Sequence, residues 1–71
     1  MRITYDADVD ALYIRFKETE VTTKHLAEGI AADYDAQGRL AGIEILSAVT
    51  RLGDPTVFRR VILEDLAVTR P

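Results

Sequence analysis

Apolar and polar positions alternate with a period of two through the first 46 residues, the pattern of strands that bury one face. Ile3 and Tyr5 share a face in Arg2–Asp6, and Leu12, Ile14 and Phe16 share one in Ala11–Phe16. Ala7-Asp8-Val9-Asp10 between them has the length of a four-residue hairpin loop. This predicts Tyr5 opposite Leu12 and Ile3 opposite Ile14, whereas a slip of one residue would send the two rows to opposite faces. A turn at Lys17-Glu18-Thr19-Glu20 leads into a weaker third strand, Val21–Ala27. Glu28-Gly29 then fits a two-residue turn, where glycine accepts the positive φ. Ile30–Tyr34 is the fourth strand, Asp35-Ala36-Gln37-Gly38 the clearest turn, and Arg39–Leu46 the fifth strand. The expected register sets Ile30 against Ile43, Ala32 against Ala41, and Lys24 against Asp33 on the outer face. The fold class that follows is α+β: an antiparallel β-meander of five strands in residues 1–46, backed by a C-terminal helical segment in residues 47–71 of one domain.

That last third has a different rhythm. Ser47 is placed to cap one short turn through Leu52, which Gly53 would close. Asp54-Pro55 reads as an N-cap followed by a first helical position. Val57, Phe58, Val61 and Ile62 recur at helical spacing and would cover the open face of the sheet. β-Branched content and the late Glu64-Asp65 pair work against a helix, so residues 55–66 stay open between a helix and a sixth strand swapped across a dimer.

Composition narrows the partners. Nine basic against twelve acidic side chains give a formal charge of −3 in 71 residues, which argues against nucleic acid as a partner, since phosphate binding needs clustered cations. Arg51, Arg59, Arg60 and Arg70 form only a modest basic region. No cysteine is present, so disulfides and thiolate zinc sites are out. No apolar run approaches membrane-spanning length and no signal-peptide core opens the chain, so no membrane contact and a cytoplasmic location are expected. A chain this short buries only about 60 % of its unfolded surface, and with no covalent staple or metal it is expected to form a homodimer.

Candidate chemistry is sparse. Asp6-x-Asp8-x-Asp10 has the spacing of a calcium loop, but the positions that need glycine and a bidentate glutamate hold Ala11 and Lys17. The turn reading, with aspartates bonding local N–H groups, is preferred to a metal or small-ligand site at this hairpin. Asp33 and Asp35 flank the other hairpin and are read the same way. His25 and Ser47 are the lone histidine and serine, and no Gly-x-Ser-x-Gly elbow supports a nucleophile. Ser47 is therefore expected as a cap and His25 beside Tyr34 on the sheet. The dispersed Gly38, Gly42 and Gly53 make no phosphate cradle. No catalytic residue, metal or cofactor is expected. Tyr5 and Tyr34 are expected to face inward. Tyr13 is expected to face outward near Leu26 on the neighbouring strand, so the contact surfaces expected are Tyr13 with Leu26, or Phe58 with Ile62.

The series Ile3-Thr4-Tyr5-Asp6, Asp10-Ala11-Leu12-Tyr13-Ile14, Asp33-Tyr34-Asp35 with Gly38-Arg39-Leu40, and Gly42-Ile43-Glu44-Ile45-Leu46 resembles a bacterial family of unknown function, the one numbered 2283. The resemblance covers Met1 to Ala48; it departs at Ala7-Asp8-Val9, where the family often has proline and glutamate, and it does not reach the tail beyond Leu52. It implies no activity, and through similar proteins encoded beside small toxins it implies an antitoxin-like binding role. Three functions are weighed: a non-enzymatic module binding another protein, such as a neighbour-encoded toxin; a small-ligand or divalent-cation site at Asp6, Asp8 and Asp10; and an enzyme using His25. The first leads, because a single sheet under one helix leaves little depth for a pocket while an edge strand, Met1–Asp6 or Arg39–Leu46, leaves backbone donors open.

Overall fold

The computed structural model describes residues 1–64. Its elements are β1 (Arg2–Asp6), β2 (Ala11–Arg15), β3 (Thr22–Ala27), β4 (Ile30–Tyr34), β5 (Leu40–Leu46), a short helix α1 (Ala48–Leu52) and a 3₁₀ turn at Pro55–Arg59. All neighbouring strands are antiparallel, in one five-stranded sheet, as the alternation predicts. The strand order does not follow the chain. It runs β1-β2-β5-β4-β3, so β5 inserts between β2 and β4 and the edges are β1 and β3. Arg39–Leu46 is therefore a central strand, not the open edge expected of it. Residues 16–21 cross the end of the sheet to reach the far edge, pinned by an ion pair from Lys17 Nζ to Asp35 in the β4–β5 turn.

The first hairpin has the expected register, Tyr5 opposite Leu12 and Ile3 opposite Ile14. Between β4 and β5, Ile30 lies opposite Ile45 and Ala32 opposite Ile43, two residues from the expected pairing. Two single-residue changes produce this. The turn is longer by one, closing with Tyr34 opposite Leu40, and a shift beside Tyr34 adds another. Either alone would flip the strand; together they keep the apolar row on its face. On β3 a lone irregularity between His25 and Ala27 does flip the partners. Thr23 meets Asp33, Lys24 meets Ala32, and His25 meets Ala31. The expected Lys24–Asp33 pair and the placing of His25 beside Tyr34 are thus both corrected.

One face carries Ile3, Leu12, Ile14, Ile30, Ile43 and Ile45; the other is polar. Among the described residues the fully covered apolar ones are small, Ala31, Ala32, Ala41 and Ala48, and no large side chain drops below 2 % exposure. The C-terminal segment explains why. It forms no helix across the face; α1 and the 3₁₀ turn are five residues each, and residues 60–64 have no regular structure. Residues 55–64 are thus neither the expected long helix nor a strand, while 65–66 lie outside the described residues. Phe58 alone is half-buried there, stacked on Tyr5 with centroids 4.3 Å apart and planes 23° apart. Val57, Val61 and Ile62 remain exposed, so the expected cover is reduced to one aromatic pair.

Candidate functional site

Three aspartates organise the polar contacts, each at a different level of the sheet. On the polar face, Asp33 of β4 is only 8 % exposed. It accepts from Thr23 Oγ1 on β3 at 2.6 Å and from the Tyr13 hydroxyl on β2. Tyr13 reaches it by crossing β5 over Gly42, where a Cβ would stand 2.9 Å from the hydroxyl and 3.0 Å from Ile14 O. Glycine is there for close approach. The Thr23 and Tyr13 hydroxyls hold the Asp33 carboxyl below its ordinary range, while Asp33 raises Tyr13. Arg15 lies over the Tyr13 ring at 5.8 Å. The network ties three strands, β2, β4 and β3, through side chains and spans β5 at Gly42.

At the hairpin end of the sheet, Asp10 does several jobs. Its carboxylate accepts from Tyr5 Oη at 2.6 Å and from Val49 N–H at 3.0 Å, and its carbonyl accepts from Ala48 N–H at 3.0 Å. It therefore caps α1 from 39 residues away in sequence, in place of Ser47, whose side chain makes no cap bond. Its φ of 54° is in the left-handed region, which aspartate tolerates better than most residues. The Tyr5 hydroxyl and then the Val49 N–H lower its pKa. Gly53 closes the other end of α1 through its N–H on Val49 O, and Arg51 ties the helix to the sheet, donating Nε to Leu46 O at 3.0 Å and a second N–H to Glu28 O. Its guanidinium lies against Gly29, where a Cβ would collide with it. At the opposite end of the sheet, Asp35 accepts from Lys17, Gln37 N–H and Arg39 N–H, with Lys17 the main cause of its lowered pKa.

The bonds and the strand order place each sequence candidate. Asp6 accepts from Asp8 N–H at 3.0 Å, the local turn bond expected, while Asp10 turns away to Tyr5 and α1. The calcium-like triplet is not gathered, and among the described residues no three potential ligands cluster. His25 sits in the row of Ala31 and Glu44, whereas Ser47 lies beyond the last row of β5, so the pair is not brought together. Tyr13 and Leu26 are on strands separated by β5 and β4; they are not neighbours, and Tyr13 is engaged with Asp33. Phe58 is spent on Tyr5 while Ile62 is 56 % exposed. An open cleft of about 670 Å³ lies beside the first hairpin, with Thr4, Asp6, Asp8, Tyr13 and Glu44 among its lining. That volume is within the range of ligand sites, about 300–1,000 Å³, but the cleft is shallow and wide open to solvent.

What stays unspent is main chain along one edge. Phe16 N–H donates to Ala41 O at 2.8 Å, so Phe16, Ile14 and Leu12 aim their main-chain groups at β5, and Tyr13 aims its own at β1. Thr4, opposite Tyr13, thus bonds inward, while Ile3 and Tyr5 present N–H and C=O outward. The β3 edge differs, carrying Lys24 and an irregularity at Leu26, both of which discourage strand pairing. β1 has an unbroken register and carries its charges, Arg2 and Asp6, only at its two ends.

No helix among the described residues is long and apolar enough to cross a membrane. No curated protein and no solved structure matches the chain significantly. A family described as "Protein of unknown function (DUF2283)" matches residues 2–48, about two-thirds of the 71 residues and all five strands. The chain belongs to the DUF2283 family.

Proposed function

We propose that the protein is a non-enzymatic protein-interaction module that takes up an extended strand of a partner along the outer side of β1. The observation that carries this is the unprotected edge, with the Ile3 and Tyr5 main-chain groups directed away from β2. A strand added there gains ladder hydrogen bonds, and alternation lets its apolar side chains extend the row of Ile3 and Tyr5. The fitting partner is a segment with period-two alternation. The antitoxin-like form of this reading, with a small neighbour-encoded toxin as partner, rests on the family resemblance, and that protein is the first to test.

Proline tests the edge, because it removes an outward N–H and is tolerated on edge strands. The full chain, tagged and recovered from its native host, is expected to bring down a partner stoichiometrically. Adding that purified partner should slow hydrogen exchange at the Ile3 and Tyr5 amides. Ile3→Pro should cut its affinity at least tenfold while shifting the urea midpoint little. Undiminished capture by Ile3→Pro, with exchange at those amides unchanged, would remove the reading. Thr4→Pro is the control expected to unfold the hairpin, since Thr4 bonds inward.

A further inference from the structure

We infer that the apolar face of the sheet is covered by the same face of a second copy of this chain, giving a two-fold sandwich of two five-stranded sheets. Four features of the molecule carry this. Leu12, Ile14, Ile30, Ile43 and Ile45 form a continuous patch on four adjacent strands with Ile3, and all of them stay partly exposed, Ile3 to 44 %. Such sheets ordinarily bury this face against a second layer. Among the described residues the chain's own cover stops at Phe58 on Tyr5, at one margin.

The occupant must be present whenever the chain is folded, because the fully covered apolar core among the described residues amounts to four alanines. Burial of large aliphatic side chains is the main favourable term in folding, and here it is incomplete until something covers them. A second copy is the one apolar face always available at the chain's own concentration. The pairing is also chemically self-consistent. Within the ladder, the face presents no charge on its three central strands, β2, β5 and β4; the charged position is Lys24 on the β3 margin. Two such faces meet without burying an unpaired ion.

Five strands of five to seven residues span about 24 Å by about 18 Å at ordinary strand spacings, roughly 430 Å² in projection. Side-chain relief brings this toward the roughly 800 Å² per partner of a standard interface. The chain exposes 5750 Å² for 7.9 kDa, against about 4,400 Å² for a compact monomer of that mass.

Strand addition uses the main-chain edge of β1 whereas this pairing uses the face of the sheet, and Ile3 is common to both. Sedimentation equilibrium of the full chain at about ten micromolar, a concentration suited to a modest interface, should give twice the 7.9 kDa chain mass. A mixed sample of carbon-13-labelled and unlabelled chains should show intermolecular NOEs from the methyls of Ile14 and Ile43, with no substitution that risks unfolding. Ile43→Lys should then shift the mass toward monomer, and Thr4→Lys on the polar face should leave it unchanged. A monomer at this concentration overturns the inference, as does a dimer whose NOEs arise at β1, Leu26 or Ile62 instead. A monomer that still captures a partner through β1 would overturn it while leaving the proposed function in place.

Discussion

Gly42 is the residue on which the polar face turns. Its hydrogen stands where any other side chain would meet the Tyr13 hydroxyl at 2.9 Å, so it makes the Tyr13–Asp33 bond geometrically possible. Gly42→Ala should therefore destabilise the protein by about 1–3 kcal/mol, the usual cost of overpacking a filled site. In a Tyr13→Phe background, where the hydroxyl is already gone, the alanine should cost less. Urea unfolding of the two single variants and the double variant measures this coupling. Full additivity would mean that the glycine serves the Ile14 carbonyl and not the tyrosine. A glycine inside a strand pattern signals close approach of something, so the position was legible in the sequence. What approaches it was not, since Tyr13 and Asp33 are joined by a register that no local pattern encodes.

At the scale of elements, α1 shows how little of its stability is its own. Five residues are too few to hold a helix in water, and its first free N–H groups are met by Asp10 from another hairpin. Asp10→Ala should speed hydrogen exchange at the Val49 amide and loosen the Tyr5–Phe58 stack, visible as lost ring–ring NOEs. Asp10→Asn keeps an acceptor and should preserve much of both. Unchanged protection at Val49 in the alanine variant would show that α1 is held from its Arg51 end. Strands, hairpins and Gly53 at the helix end were legible because each rests on neighbours in sequence. The C-terminal helix was over-read: Val57, Phe58, Val61 and Ile62 have helical spacing, but a face must meet another face before spacing becomes structure. The irregularities at Leu26 and Tyr34 carry no glycine or proline at their own positions, so nothing announced them.

The whole molecule should be sensitive to acid in a defined window. Asp33, Asp10, Asp35 and Asp54 all have lowered folded pKa values, chiefly through the Thr23 hydroxyl, the Tyr5 hydroxyl, Lys17 and the Thr56 N–H respectively. Unfolded aspartates take up protons near pH 3.9. A folded pKa below that means stability that is whole above about pH 5 and lost as pH falls through 4 and on through the folded values. Melting temperature should be level from about pH 7 to 5 and drop beneath it. Asp33→Asn should melt lower at pH 7 yet decline less steeply between pH 5 and 2, and an unaltered acid limb would remove Asp33 from the account. The strand order was the largest feature hidden from the sequence, because consecutive strands are usually neighbours and β2 and β3 are not, with β5 and β4 between them. The insertion of β5 divides the molecule into a local hairpin, β1–β2, and a local three-stranded unit, β3–β4–β5. Their single seam pairs Arg15 with Gly42 and Ala11 with Leu46. Lone hairpins are marginal in water, and contacts between distant parts of a chain close slowly. During synthesis the outer side of β2 therefore stays vacant until Leu46 has left the ribosome, and the rate at which the newborn chain becomes a sheet is set by how fast β5 finds that gap.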